Sequence, residues 1–168
     1  MILVDAAPLY DLGQVGELDL LGALDGPLVI PGAVIEEVPV EPAATNVERF
    51  LAEAAAETDP NVDAYLEDAR ALLNDEEVTS DAVLVACLLA ARDSDTDAAL
   101  VSDDCRLRAI ADGLGATVTG TFGVVIRASM DDKYFTASQA KRVVRRTDHH
   151  GLQMTGTLRE RAIGEVGE

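Results

Sequence analysis

The sequence predicts an α/β protein, a three-layer α/β/α sandwich built on a mostly parallel central sheet. Three observations carry that prediction. Short strand-like runs recur as MILVD, LVI, AALVS and ATVTG. Most of them are continuously apolar rather than alternating, as in strands covered on both faces. Helical patterns separate them, so successive strands are joined by crossovers and not by hairpins. Finally, a 168-residue chain that is 48% apolar can bury one substantial core.

Each element has its own signal. Residues 1–5 form a short buried strand, followed by helices over 7–14 and 17–24. Asp25-Gly26-Pro27 is a turn. The second strand covers 28–30, and Pro31 opens a helix reaching Val38, since proline suits an early helical position. Thr45 and Glu48 have capping-box spacing for a helix reaching about Glu57. Another helix starts at Asp59-Pro60 and runs to Leu73. Thr79 or Ser80 caps the helix 81–92, whose almost wholly apolar body predicts burial on most sides. The third strand is 98–102. It is followed by a helix over 104–113, closed by Gly113, then a strand over 116–120 and a helix over 122–129. Helices over 137–147 and 155–163 complete the chain. The division is a domain over 1–130 and a helical extension over 131–168 packed on it. No repeat, low-complexity tract or linker interrupts it.

Composition narrows the setting. No run approaches the ~18 apolar residues that span a bilayer, and the first ten residues lack the basic flank of a signal peptide. Cys87 and Cys105 have neither a disulfide framework nor metal-ligand spacing, so a reducing cytoplasm is expected. The net charge is −18, with only two lysines. Such acidity suits a halophile's proteome, because strong salt screens the self-repulsion. The charge is uneven: residues 1–132 carry 27 acidic and 6 basic side chains, and 133–168 carry 4 and 7. Lys141, Arg142, Arg145 and Arg146 form a basic cluster that is either one polar helix face or an RNA contact. The adjacent His149 and His150 suit a surface turn.

The acids carry the chemistry. Ligands bind beyond the carboxyl ends of the strands of such a sheet. Asp5 ends the first strand, Glu37 lies on the helix after the second, and Asp103 and Asp104 follow the third. Asp81 lies in the first turn of the buried helix. Singly, each has a bland explanation as a cap or a solvated residue. Asp5 is the exception, because a carboxylate at the sheet edge needs a partner. A divalent cation is one candidate; Arg106 or Arg108 is the other. All-oxygen donors suit Mg²⁺ or Mn²⁺. Carboxylates holding such ions serve phosphoryl-transfer chemistry.

Four stretches occur in the order found in PIN domains: VDAAPLYDLGQVGELDLLGAL, LVIPGAVIEEV, TSDAVLVACLLA and LVSDDCRLRAIADGLGATVTG, with GTFGVV after the last. Over about residues 1–128 the chain resembles that family of α/β/α nucleases. The tail HHGLQMTGTLRERAI is similar to the C-terminal helix of some prokaryotic members. The resemblance implies a metal site of Asp5, Glu37, Asp81 and either Asp103 or Asp104. Glu37 matches by the Pro31, Val34, Glu37 spacing. Ser102 stands where the family often has a small hydroxyl residue, which orients a ligand or simply caps the next helix.

The implied function is endoribonuclease chemistry with Mg²⁺ or Mn²⁺, leaving a 5′-phosphate and a 3′-hydroxyl. It would serve as the toxin of a toxin–antitoxin pair, silenced by a small antitoxin protein, or in RNA processing. A homodimer is expected. The rival is a catalytically inactive PIN-like module that binds RNA or protein, against which the full set of acids argues. A receiver domain wants an Asp pair after strand one, and a haloacid-type phosphatase wants Asp-x-Asp there; this chain has Asp5-Ala6-Ala7. Few aromatic residues disfavour base stacking as the main binding mode.

Overall fold

A computed structural model describes residues 1–130 and 141–146. Four parallel strands form one sheet: β1 (Ile2–Val4), β2 (Leu28–Val29), β3 (Ala99–Val101) and β4 (Thr117–Thr119), in the order β2-β1-β3-β4. The central strands are the apolar ones. Leu3, Val4, Leu100 and Val101 are fully buried, while β4 at one edge is threonine-rich and partly exposed. The edge at β2 is covered by residues 56–58, whose Glu57 exchanges backbone hydrogen bonds with Leu28 and Ile30.

The connections are α1 (Ala6–Val15), α2 (Gly32–Glu36), α3 (Ala43–Glu53), α4 (Leu66–Leu73), α5 (Ser80–Asp93), α6 (Cys105–Gly113) and α7 (Thr121–Met130). From β1 the chain steps one way to β2 and then back past β1 to β3 and β4, so crossovers of the usual right hand put α1 on one face and α5 and α6 on the other. Helices α3 and α7 pack on α1, and α4 packs on α5. This is the expected three-layer sandwich. As its apolar body predicts, α5 buries every residue from Leu84 to Leu89.

Several boundaries differ for identifiable reasons. Residues 18–23 form a 3₁₀ rather than an α-helix, after Gly16 ends α1 in the left-handed region at φ 72°. The capping box at Thr45 does not form, because Pro42 is the N-cap of α3 and Thr45 already lies inside the helix. Instead, the Glu41 carboxylate accepts hydrogen bonds from the Thr45 backbone N–H (3.2 Å) and its hydroxyl (2.9 Å). The helix expected from Pro60 begins only at Leu66, after a 3₁₀ turn over Asp63–Tyr65. Gly113 is the last residue of α6, and the left-handed residue is Gly115.

Residues 141–146 are helical, and Val143 and Val144 are buried in the common core. The helix expected over 155–163, the ends of that over 137–147, and His149 and His150 lie outside the described residues. No helix among the described residues is long and apolar enough to cross a membrane.

Candidate functional site

Parallel strands bring their carboxyl ends to one edge. The strand order reverses between β1 and β3, which opens a crevice at that edge. Asp5 ends β1 there and is only 7% exposed. It is the N-cap of α1, with Oδ1 accepting from Ala6 N at 2.7 Å. Its Oδ2 accepts from the Ser102 hydroxyl at 2.6 Å, and Ser102 Oγ in turn accepts from Asp104 N at 3.1 Å. Ser102 is fully buried. It therefore does not cap the next helix; it joins the end of β1 to the turn after β3. The cap of α6 is Asp104, whose Oδ1 accepts from Leu107 N at 2.7 Å.

Glu37 and Asp81 reach the same opening from the other helical layer. Glu37 is the C-cap of α2, and its Oε1 accepts from the Ser80 hydroxyl at 2.5 Å. The cap of α5 is Thr79, whose hydroxyl oxygen accepts from Ala82 N at 3.2 Å. Asp81 is thus not needed as a cap. Burial, then Asp5, Asp104, Glu37 and Asp75, push its carboxyl up to about 6. The Asp5 carboxyl is also raised, first by burial; the Ser102 and Ala6 donors oppose the shift, while Glu37 and Asp104 add to it. Asp5, Asp81, Glu37 and Asp104 thus lie close enough to feel one another's charge at the carboxyl-end edge of the sheet.

Asp103 points elsewhere. Its Oδ1 accepts from Thr121 N at 2.9 Å and its Oδ2 from the Thr121 hydroxyl at 2.5 Å. It fastens the turn after β3 to the start of α7. Gly120 permits that approach, since a Cβ there would lie 2.4 Å from Asp103 Oδ1. Residues 102, 103 and 104 thus send their side chains to β1, α7 and α6 in turn.

The arginine alternative for Asp5 fails on geometry. Arg106 donates to the Leu73 carbonyl at the end of α4, and the buried Nε of Arg108 has no hydrogen-bond partner among the described residues, Asp5 included. The ion pairs among the described residues, Arg92–Asp93, Arg127–Asp25 and Arg146–Glu17, all lie away from the mouth. A set of crowded carboxylates, one of them buried and without a basic neighbour, fits a divalent cation, and the oxygen donors suit Mg²⁺ or Mn²⁺. Among the described residues no three acidic, His or Cys side chains close on a single point. The acids line an opening rather than a finished cage.

The basic cluster sits apart from them. Arg146 donates to the Val15 carbonyl at 2.7 Å and pairs with Glu17 at 3.7 Å. That contact lies at the far end of α1, roughly 15 Å along the helix from Asp5. Arg142 and Arg145 are exposed and Lys141 is half-buried.

Three residues of this region have signals that are faint in the sequence. Ser80 is one of two adjacent hydroxyls where one cap suffices. Asp11 is an acid on the otherwise apolar face of α1, and its carboxyl is raised to about 7 by burial and by Asp103. Thr121 follows the glycine that lets Asp103 approach.

A family model described as a PIN domain matches residues 1–168. No curated protein and no solved structure matches the chain.

Proposed function

The chain belongs to the PIN-domain family, whose members are typically metal-dependent nucleases, and from that premise we propose that it is a ribonuclease dependent on Mg²⁺ or Mn²⁺. One observation supports this best: Asp5, Glu37, Asp81 and Asp104 line the carboxyl-end edge at the strand-order reversal from both helical layers, with no basic side chain of the described residues paired to them. These four residues would hold the ion. When bound, it would activate water and offset the charge gathering on the scissile phosphate.

The protein's own part is placement. Ser102 fixes Asp5 relative to Asp104 through two hydrogen bonds. Burial of Asp5 keeps water from competing for its oxygens and strengthens every charge interaction at the mouth. Asp103 holds the turn that carries Asp104 and is not itself a ligand in this reading.

An acidic mouth repels a polyanion. RNA would be attracted by Lys141, Arg142 and Arg145, which would hold a flanking stretch rather than the scissile phosphate. Arg146 is engaged with Val15 and Glu17. Either role, toxin silenced by an antitoxin or RNA processing, would use this chemistry.

The test incubates labelled single-stranded and structured RNA with the protein in molar KCl, with Mn²⁺, Mg²⁺ or EDTA, beside Asp5→Asn. Cleavage that requires both metal and Asp5 is expected. Cleavage that survives EDTA or Asp5→Asn would refute the assignment. A folded protein that binds RNA without cutting any substrate would support the inactive module instead.

A further inference from the structure

We infer that Ser80 is a positioning residue for Glu37, setting the affinity of the carboxylate cluster for its divalent cation. The inference rests on the metal reading above. Glu37 follows α2 at an exposed position, and a glutamate side chain left free there must lose rotamer entropy when it is ordered on a ligand. Ser80 removes that freedom in advance. It lies in the first turn of α5, is only 7% exposed, and donates its hydroxyl hydrogen to Glu37 Oε1 at 2.5 Å.

The bond has no other evident task. Capping of α5 already belongs to Thr79. Nor is it local, since it links residues 43 apart in sequence and ties the end of α2 to the start of α5, one residue before Asp81. It engages only one of the two carboxylate oxygens, Oε1. The arrangement parallels Ser102 and Asp5 across the crevice: in each case a buried serine from another element holds an acid by one oxygen. Hydrogen-bond partners of metal-ligating carboxylates commonly change metal affinity by about 10–100-fold when removed.

The test is Mn²⁺ binding by calorimetry at pH 7.5 for wild type, Ser80→Ala, Ser80→Thr, Glu37→Gln and the Ser80→Ala/Glu37→Gln double variant. Circular dichroism and metal-free melting temperature serve as fold controls. Ser80→Ala is expected to weaken Mn²⁺ binding about tenfold and Ser80→Thr to restore most of it. In the Glu37→Gln background Ser80→Ala should have no further effect, because its action passes through Glu37. Wild-type affinity in Ser80→Ala, or the same loss in both backgrounds, overturns the inference while leaving the metal reading intact. Wild-type protein that binds no Mn²⁺ overturns both.

Discussion

Replacing Asp11 by asparagine isolates the effect of one buried charge on stability. Asp11 lies on the inner face of α1 at 7% exposure, and burial, then Asp103, lift its carboxyl from 3.8 to about 7. The folded state therefore binds this proton more tightly than the unfolded chain does. Between pH 4 and 7 the unfolded chain has lost the proton and the folded protein keeps it. Stability falls as pH rises across that window and is level above about 7. A shift of about three units at 1.36 kcal/mol each sets a ceiling of about 4 kcal/mol, and relaxation around the site reduces it to roughly 2–4. Asparagine keeps the shape and removes the titration. Urea melts of both proteins at pH 4.5, 6 and 8, in constant molar KCl, read the difference. Relative to wild type, Asp11→Asn should gain roughly 2–3 kcal/mol between pH 4.5 and 8, about 4–12 °C in melting temperature. Any fixed cost of burying the amide shifts both ends equally. Parallel pH curves for the two proteins would refute the reasoning.

Protons should compete with the cation: Mn²⁺ affinity is expected to fall as pH drops through about 6, where Asp81 takes up its proton, and isothermal titrations from pH 5 to 8 check it. Asp104→Asn should lose Mn²⁺ binding, whereas Asp103→Ala should only weaken it, through the turn that carries Asp104, and lose about 1–3 kcal/mol of stability with its two bonds to Thr121; equal metal affinities in the two would cancel the division of roles. Gly120→Ala should cost about 1–3 kcal/mol in a denaturant melt, because its Cβ meets Asp103 Oδ1. Replacing Lys141, Arg142 and Arg145 by alanine should weaken RNA binding and flatten its salt dependence in a titration, and unchanged affinity would return them to an ordinary polar face.

The order of strands and helices was legible because each is short and sharply bounded. MILVD and AALVS are too brief for helices, and SDAVLVACLLAARD is too long and uniform for a strand. The positions of Asp5, Asp103 and Asp104 at strand ends were legible too, since a parallel sheet gathers whatever ends its strands. Less visible was how neighbouring hydroxyls and acids divide the work. Ser102, Asp103 and Asp104 look interchangeable in a row, and only the directions of three neighbouring elements separate them. Thr79 and Ser80 likewise offer two hydroxyls to one helix start, and the unused one finds Glu37 on α2. The Thr45 capping box failed because its local spacing was right but Pro42 had already started the helix. Pairings across tens of residues leave no periodic trace.

The sheet order also fixes when the site can first exist. β1 pairs with β2 and with β3, and the β3 partner of Ile2 is Ala99. A ribosome adding about 5–20 residues per second therefore spends several seconds with β1 made and its inner neighbour still unwritten. Until Asp104 has left the exit tunnel, the nascent chain holds Asp5, Glu37 and Asp81 but neither the strand that seats them nor the last acid. A chain abandoned during that interval lacks the complete set of four acids at the strand ends.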